Sequence, residues 1–286
     1  MKSGRRPCMK LRLGALDELN ARPLWFSLGA DPDIDLIRDT RAGATELLEG
    51  DRVDAAVVSV VKAAEAGWYR APGIGIAAAQ TLGSVLLLSD VVPHEASVIY
   101  AAQDSRTSTM LLMALLRRMG RTPTVIRLPA AEARAKAKQD RGSAALLIGD
   151  EGMKARASFA ASWDLLEAWN QCTGLPMVFG VWASRRPITA EVSRRLIDAA
   201  AQGERQYARI ADEMAGEGWI TRDDAAAYLH RLHYTLNPAD ELAIELLLTI
   251  LQAYELITLP AGAPTLPRNH RNVLSWNQHD DAAHHR

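Results

Sequence analysis

The sequence predicts an α/β protein of two lobes with a ligand cleft between them. Three observations lead there. Short apolar runs alternate with helical patterns through the first two thirds of the chain, the pattern of a parallel sheet flanked by helices. Beyond Arg186 the texture turns to almost pure helix. The 286 residues suffice for a full core, as one large domain or two modest lobes. Strands closed by a helical block suit a chain that builds one lobe, crosses to build a second and returns. That order assigns 1–92 and 188–286 to lobe one and 93–187 to lobe two, with crossings near 90–96 and 184–189, each beside a proline. A single doubly wound domain with a helical appendage is the alternative.

Taken in order, strands are expected at 11–16, 35–39, 53–59, 83–88, 97–101, 124–127, 144–148 and 177–182. Helices are expected at 44–48, 59–66, 107–119, 132–139 and 163–172. In the closing block, Leu196, Ala200, Tyr207, Ile210, Ala211 and Met214 step along one helical face, and Ala243, Leu246, Leu247, Ile250, Leu251 and Tyr254 along another. Both stripes read as core. The Pro- and Gly-containing stretch 259–267 ends the helix, and the tail with His270, His279, His284 and His285 reads as a poorly ordered terminus rather than a metal site. No internal repeat of fixed period is visible.

Lys and Arg number 33 against 34 Asp and Glu, so no global field recruits nucleic acid or an anionic membrane, and a small molecule is the expected partner. Cys8 and Cys172 form neither a disulfide framework nor a metal-ligand spacing and read as free thiols of a reducing compartment. The basic N-terminal stretch is followed by an apolar run, 11–16, that Arg12 interrupts and that is too short for a signal core. No segment approaches the roughly 20 apolar residues of a membrane span. A cytoplasmic protein is expected, and a homodimer is left open.

The clearest site signal is Asp104-Ser105-Arg106-Thr107-Ser108, between the strand at 97–101 and the helix at 107–119. Hydroxyls and unpaired backbone N–H groups converge at such a helix start, where the macrodipole favours an anion such as a carboxylate. Ordinary N-capping is the competing reading, although three hydroxyls in four residues exceed what a cap needs. Gly83-Ser84 opens a strand and sets a hydroxyl at its end. The strand at 53–59 delivers Ser59 to its C-terminal end, where open α/β sheets hold their ligands. Asn20, after the first strand, offers an acceptor and two donors, while asparagine in a turn commonly serves only the backbone. Arg22 can clamp a carboxylate or simply stand in solvent. Gly149-Asp150 supplies either a ligand contact from the second lobe or an Asx turn.

Absent motifs narrow the chemistry. There is no P-loop, no G-x-G-x-x-G after the first strand, no H-E-x-x-H and no G-x-S-x-G, so no cofactor or metal is expected. Outside the tail only His94, His230 and His233 occur, none in an expected site loop. Any enzyme chemistry here proceeds without an obvious histidine base.

Read together and in order, Leu19-Asn20-Ala21-Arg22-Pro23-Leu24, the 54–59 strand, Gly83-Ser84-Val85, Ser105-Arg106-Thr107-Ser108, Leu147-Ile148-Gly149-Asp150 and Gly174-Leu175-Pro176-Met177-Val178-Phe179 resemble the chorismate dehydratases of the futalosine route to menaquinone. The likeness runs from about residue 11 to 254. It implies a type II periplasmic-binding-protein fold and a lyase that converts chorismate to 3-[(1-carboxyvinyl)oxy]benzoate. It implies catalytic roles for Asn20 and Ser84. Ser105, Thr107 and Ser108 match the segment expected to hold a substrate carboxylate, with Arg22, Ser59, Arg106, Gly149 and Asp150 as further binding candidates. One departure stands out: the family commonly carries a Ser-Tyr pair before Leu-Asn, where this chain has Asp17-Glu18, two carboxylates beside an anionic substrate.

Two rivals remain. A non-catalytic carboxylate-binding protein shares the fold class, but the chain shows neither a signal segment nor a DNA-binding helix-turn-helix. The 1,4-dihydroxy-6-naphthoate synthases of the same pathway are expected to open on a Ser-Pro-Cys-Pro-Asn type motif and to use a histidine base. Neither feature is visible in this sequence.

Overall fold

The computed structural model describes residues 10–267 and 269–277. Cys8, His279, His284 and His285 lie outside the described residues. Two mixed sheets carry the fold. The first runs β11 (Leu232–Thr235), β4 (Tyr69–Ala78), β10 (Met177–Ser184), β3 (Ala55–Ser59), β1 (Leu11–Leu16), β2 (Ile34–Asp39). The second runs β7 (Thr124–Leu128), β6 (Val98–Ala102), β8 (Ser143–Ile148), β5 (Val85–Ser89), β9 (Ala161–Asp164). Helices α1 (Arg22–Trp25), α2 (Arg41–Glu49), α3 (Val60–Glu65), α8 (Ala190–Glu204), α9 (Tyr207–Ala215), α10 (Arg222–Leu229) and α11 (Pro238–Ala253) belong to the first lobe by chain order, and α4 (Arg106–Arg118), α5 (Ala130–Gln139), α6 (Gly149–Ala155) and α7 (Leu165–Thr173) to the second, while α12 (Arg271–Asn277) follows at the end.

The expected parallel sheet is corrected to a mixed one. β1 pairs in parallel with β2 and β3, and β6 with β7 and β8. β10 is antiparallel to β3 and β4, and β5 to β8 and β9. Parallel neighbours need a crossover packed on the same sheet. β5 and β10 instead arrive from the other lobe, which frees them to enter in the opposite sense.

The lobe boundaries are corrected as well. The chain leaves the first sheet after Ala78 and enters the second at Val85, and it returns between Thr173 and Met177. The crossings therefore lie at 79–84 and 174–176, one strand earlier than 90–96 and 184–189. Pro93 opens only a short 3-10 turn, and Pro187 precedes α8 without leaving the lobe. An apolar run tells that it is buried, not which sheet it joins. One consequence matters for function: Ser84 sits on the hinge itself.

β4, β9 and β11 were not expected. Pro72, Gly73 and Gly75 disguise β4 as a loop, but Gly75 is there for close approach, since a Cβ would stand 2.8 Å from the Gly180 carbonyl oxygen of β10. β9 and β11 are each four residues long, too short to show a period. The first helical stripe is buried as expected but spans two helices, α8 and α9, rather than one. The second stripe lies on α11, whose start carries a capping box between Asn237 and Asp240. One continuous apolar core runs through both lobes, with Trp169 and Trp182 fully enclosed.

Helix α8 crosses the start of α1 at unusually short range. A Cβ on Gly203 would stand 2.6 Å from the Pro23 carbonyl carbon, against backbone that cannot rotate away. Gly203→Ala is expected to push α8 off the segment that carries Asn20 and to lower stability by about 1–3 kcal/mol, read as an earlier midpoint in urea unfolding; an unchanged midpoint would mean that the crossing is loose.

Candidate functional site

A cavity of about 620 Å³ lies between the lobes. Its wall combines the C-terminal ends of β1 and β3 and the starts of α2 and α4 with Ser84, Ile148 and Gly149. Strand ends and helix starts meet here because each βα connection turns at the same edge of its sheet, the usual ligand edge of open α/β sheets.

Asn20 follows β1 in a one-turn 3-10 helix and is pinned from two sides. The Tyr234 hydroxyl donates to its backbone carbonyl at 2.8 Å, and the Leu19 N–H donates to Asp150 Oδ1 at 3.3 Å. Its side-chain Oδ1 is sealed from solvent with no hydrogen-bond partner, on the cavity wall. A buried amide oxygen left unpaired costs about 1–3 kcal/mol, so this group is positioned for a donor that the protein does not supply. Ser84 is 1% exposed and shares a 3.0 Å hydrogen bond with the Tyr228 hydroxyl. Burial, first of all, holds the Tyr228 phenol well above its ordinary value, so it stays protonated. Tyr228 comes from α10, in the helical block read as core.

At the start of α4 the four expected residues divide. Ser105 donates to the Ala102 carbonyl at 2.5 Å and shares a 2.9 Å bond with the Thr109 hydroxyl, so its hydroxyl is consumed inside the fold. Thr107 donates to the Phe179 carbonyl at 3.2 Å. That uses its one hydrogen, so in the 2.7 Å contact between Ser59 and Thr107 the donor is Ser59, which also caps α3 by accepting from the Lys62 N–H. Arg106 turns to Glu65, with Nε 2.8 Å from its carboxylate. Ser59, Ser105, Arg106 and Thr107 all line the cavity, but each side chain already makes a hydrogen bond within the protein, through Nε and Nη2 in the case of Arg106. What stays open is the Ser108 hydroxyl and the first-turn N–H groups of a helix that has no side-chain cap. That is an anion seat built from backbone.

Charge is almost fully paired. Arg22 is buried and off the cavity wall, held by Glu217 at 2.8 Å with Asp17 and Glu213 close by, so it clamps no ligand. Asp17 is half exposed, while Glu18 is mostly shielded against Arg41. Arg41 also reaches Asp104 at 3.3 Å and the Ile148 carbonyl at 3.5 Å, both in the second lobe. Asp150, off the wall, serves Leu19 instead of a ligand. Gly149 has φ +59, and the space its Cβ would need is filled by the Glu18 and Arg41 side chains. Lys62 pairs with Glu49 at 2.6 Å. Arg127, on β7, lines the cavity with no carboxylate within ion-pair distance among the described residues.

Burial, more than any neighbour, pushes Glu18 up to about 7, with Asp150 and Asp104 adding to it and Arg41 opposing. Burial likewise pushes Asp150 up to about 6. For Arg41 burial pulls downward, but the three carboxylates more than offset it and the guanidinium stays charged. Among the described residues no histidine lines the cavity: His94 stacks on Trp163, His230 meets the edge of Tyr207, and His233 bonds Asp240. Arg41 was legible in principle, being the first residue after the Thr40 cap at the end of β2. Tyr228 and Arg127 had no sequence signal, since one reads as core and the other as a surface cation.

The family described as menaquinone biosynthesis matches residues 11–253. Among solved structures the chain is similar to protein AF1704 from Archaeoglobus fulgidus (TM-score 0.71, 14% identity, 88% of this chain and 100% of that one). It is also similar to the alkanesulfonate-binding protein SsuA from Xanthomonas axonopodis pv. citri bound to MOPS (TM-score 0.66, 15% identity, 92% and 98%). The periplasmic aliphatic sulphonate binding protein SsuA from Escherichia coli is a third (TM-score 0.62, 15% identity, 91% and 92%). At such identities the likeness is one of fold: a two-lobed, periplasmic-binding-protein-like α/β architecture.

The raised Glu18 makes stability depend on pH. A carboxyl that holds its proton more tightly folded than unfolded contributes fully below its ordinary 4.5, and the contribution is lost as pH rises to about 7. Across that window the unfolding free energy of the wild type is expected to fall relative to Glu18→Gln by on the order of 2 kcal/mol. Denaturant titrations at each pH read this directly, and parallel curves for the two proteins would show that folding leaves the Glu18 pKa unshifted.

Proposed function

The chain belongs to the menaquinone biosynthesis family, which matches its residues 11–253, and on that premise we propose that it is a chorismate dehydratase, releasing 3-[(1-carboxyvinyl)oxy]benzoate and water. The observation that carries the reading is the unpartnered Asn20 amide oxygen, sealed on the wall of a cavity that also exposes an uncapped helix start. Chorismate carries two carboxylates and a ring hydroxyl. One carboxylate suits the N–H groups at the start of α4 and the Ser108 hydroxyl, with Arg127 as the cation left over. The ring hydroxyl suits Asn20, whose amide can both accept and donate.

The elimination needs little from the protein beyond orientation and desolvation, because the product ring is aromatic. In the proposed route the enolpyruvyl carboxylate of the substrate removes the neighbouring ring hydrogen. The electrons of that C–H bond become the new ring double bond. The C–O pair departs with the hydroxyl, which takes up a proton and leaves as water. A substrate-supplied base accords with a cavity wall free of histidine among the described residues. Asn20 and Ser84 then meet the departing oxygen and the charge that develops on it, Ser84 held in place by the protonated Tyr228. The absence of a wall histidine also favours this reading over the naphthoate synthase of the same pathway.

Chorismate incubated with the purified protein is expected to yield the enolpyruvyl benzoate, detected by mass or by the ultraviolet absorbance of its aromatic ring. Asn20→Ala should lower turnover by about 100-fold or more and Ser84→Ala by about 10-fold or more, as for loss of donors aimed at a developing charge. Tight binding of chorismate with no water loss would favour a pure binding protein, and full turnover by Asn20→Ala would remove Asn20 from the chemistry.

A further inference from the structure

A second cavity, of about 690 Å³, lies on the far side of the Ser84–Tyr228 hydrogen bond, with Tyr228 in its wall. The crossing segment passes along it at Leu82 and Gly83. The second lobe contributes Lys154 and Arg156, and the first contributes Trp219, Thr221 and Arg231. Two guanidinium groups, one from each lobe, converge on Gly83. The point where its Cβ would stand is 3.5 Å from Arg156 Nη1 and 3.8 Å from Arg231 Nη1, and Gly83 has φ +77. Neither has a carboxylate within ion-pair distance among the described residues. Arg156 makes no side-chain hydrogen bond there, and Arg231 reaches only the Leu82 carbonyl at 3.4 Å. The one acid of the wall, Asp224, accepts from the Thr221 hydroxyl at 2.6 Å. Lys154 adds a third positive charge, lying over the Trp219 ring and shared with Glu151.

Like charges drawn together across a hinge repel unless an anion lies between them. Two guanidinium forks with a glycine beneath them leave room for planar or tetrahedral oxyanions and offer paired N–H donors of the matching geometry. We propose that this cavity binds a small oxyanion, a carboxylate or phosphate group bridged between Arg156 of the second lobe and Arg231 of the first. The bound anion fastens the two lobes at the crossing next to Ser84. This site does not depend on what the main cavity does, so it is tested by binding rather than by turnover.

Isothermal titration of the full chain with inorganic phosphate and, separately, with benzoate, at ionic strength held constant with chloride, measures it. Saturable binding of at least one is expected, and whichever binds more tightly identifies the source chemistry. Arg156→Gln and Arg231→Gln should each weaken it by about tenfold or more, the loss expected for one charge-assisted contact. The same anion should raise the melting temperature of the wild type by more than that of the Arg156→Gln/Arg231→Gln double variant. Both arginines are exposed, so the variants are expected to fold, which their melting curves without anion verify. Any binding at the α4 seat of the main cavity is common to all the variants, so the site is read as the binding that the substitutions remove: no saturable binding of either anion, or none that the double variant loses, overturns the proposal.

Discussion

A largely shielded guanidinium needs acceptors close by, and Arg41 finds them in both lobes. From α2 it takes Glu18 beside it and Asp104 and the Ile148 carbonyl across the cleft, while Gly149 leaves out the Cβ that would collide with the pair. Removing any partner would leave a largely shielded charge uncompensated, so this cluster favours the relative placement of the lobes in which all its members meet. Nearby contacts point the same way. Asp150 accepts from Leu19, and Thr107 of the second lobe donates to Phe179 of the first. The cavity has its shape because these contacts set the distance between its walls. Burial is the main reason that Glu18 and Asp150 resist ionisation there, with Asp150 and Asp104 adding to the effect at Glu18 and Glu217 at Asp150.

That arrangement sets what remains available to a ligand. Most of the hydroxyls and cations around the cavity are spent on the protein itself: Ser59 and Thr107 on each other, Ser105 on the turn before α4, Arg106 on Glu65, Lys62 on Glu49. The unspent groups are few and of different kinds. They include an amide on Asn20, a hydroxyl on Ser108, backbone N–H groups at a helix start and the part of the Arg127 guanidinium not donated to the Gln103 carbonyl. Under the proposed reaction this sparseness is appropriate. A dianionic substrate that carries its own base needs to be held and dried, and fixed dipoles do that without a further buried charge that would have to be desolvated.

The departure at Asp17-Glu18 resolves on the same terms. Two carboxylates beside an anion-binding cavity are a liability if both face it. Asp17 turns to solvent, near Arg22 and Arg38, and Glu18 is drawn under Arg41. Neither lines the cavity. Arg22 looked the natural clamp for a carboxylate, yet it serves Glu217, Glu213 and Asp17 behind the wall. An arginine next to a site residue in sequence can lie on the opposite face of a short helix, and α1 turns it away.

Patterning by itself determined much of the fold. Runs such as Val85 to Leu88 and the stripe on α11 are apolar at the period of their element, and burial of that face admits few alternatives. Ordered motifs likewise brought Asn20, Ser84 and the start of α4 to notice. Tertiary structure decided which sheet each strand joins, because β5 and β10 are equally apolar in either lobe and only hydrogen-bonded neighbours distinguish them. It also decided which polar groups are free. A hydroxyl in a sequence is a donor and an acceptor with unknown partners, and the pairing of Ser59 with Thr107, or of Ser84 with Tyr228 from 144 residues away, exists only once the chain has closed.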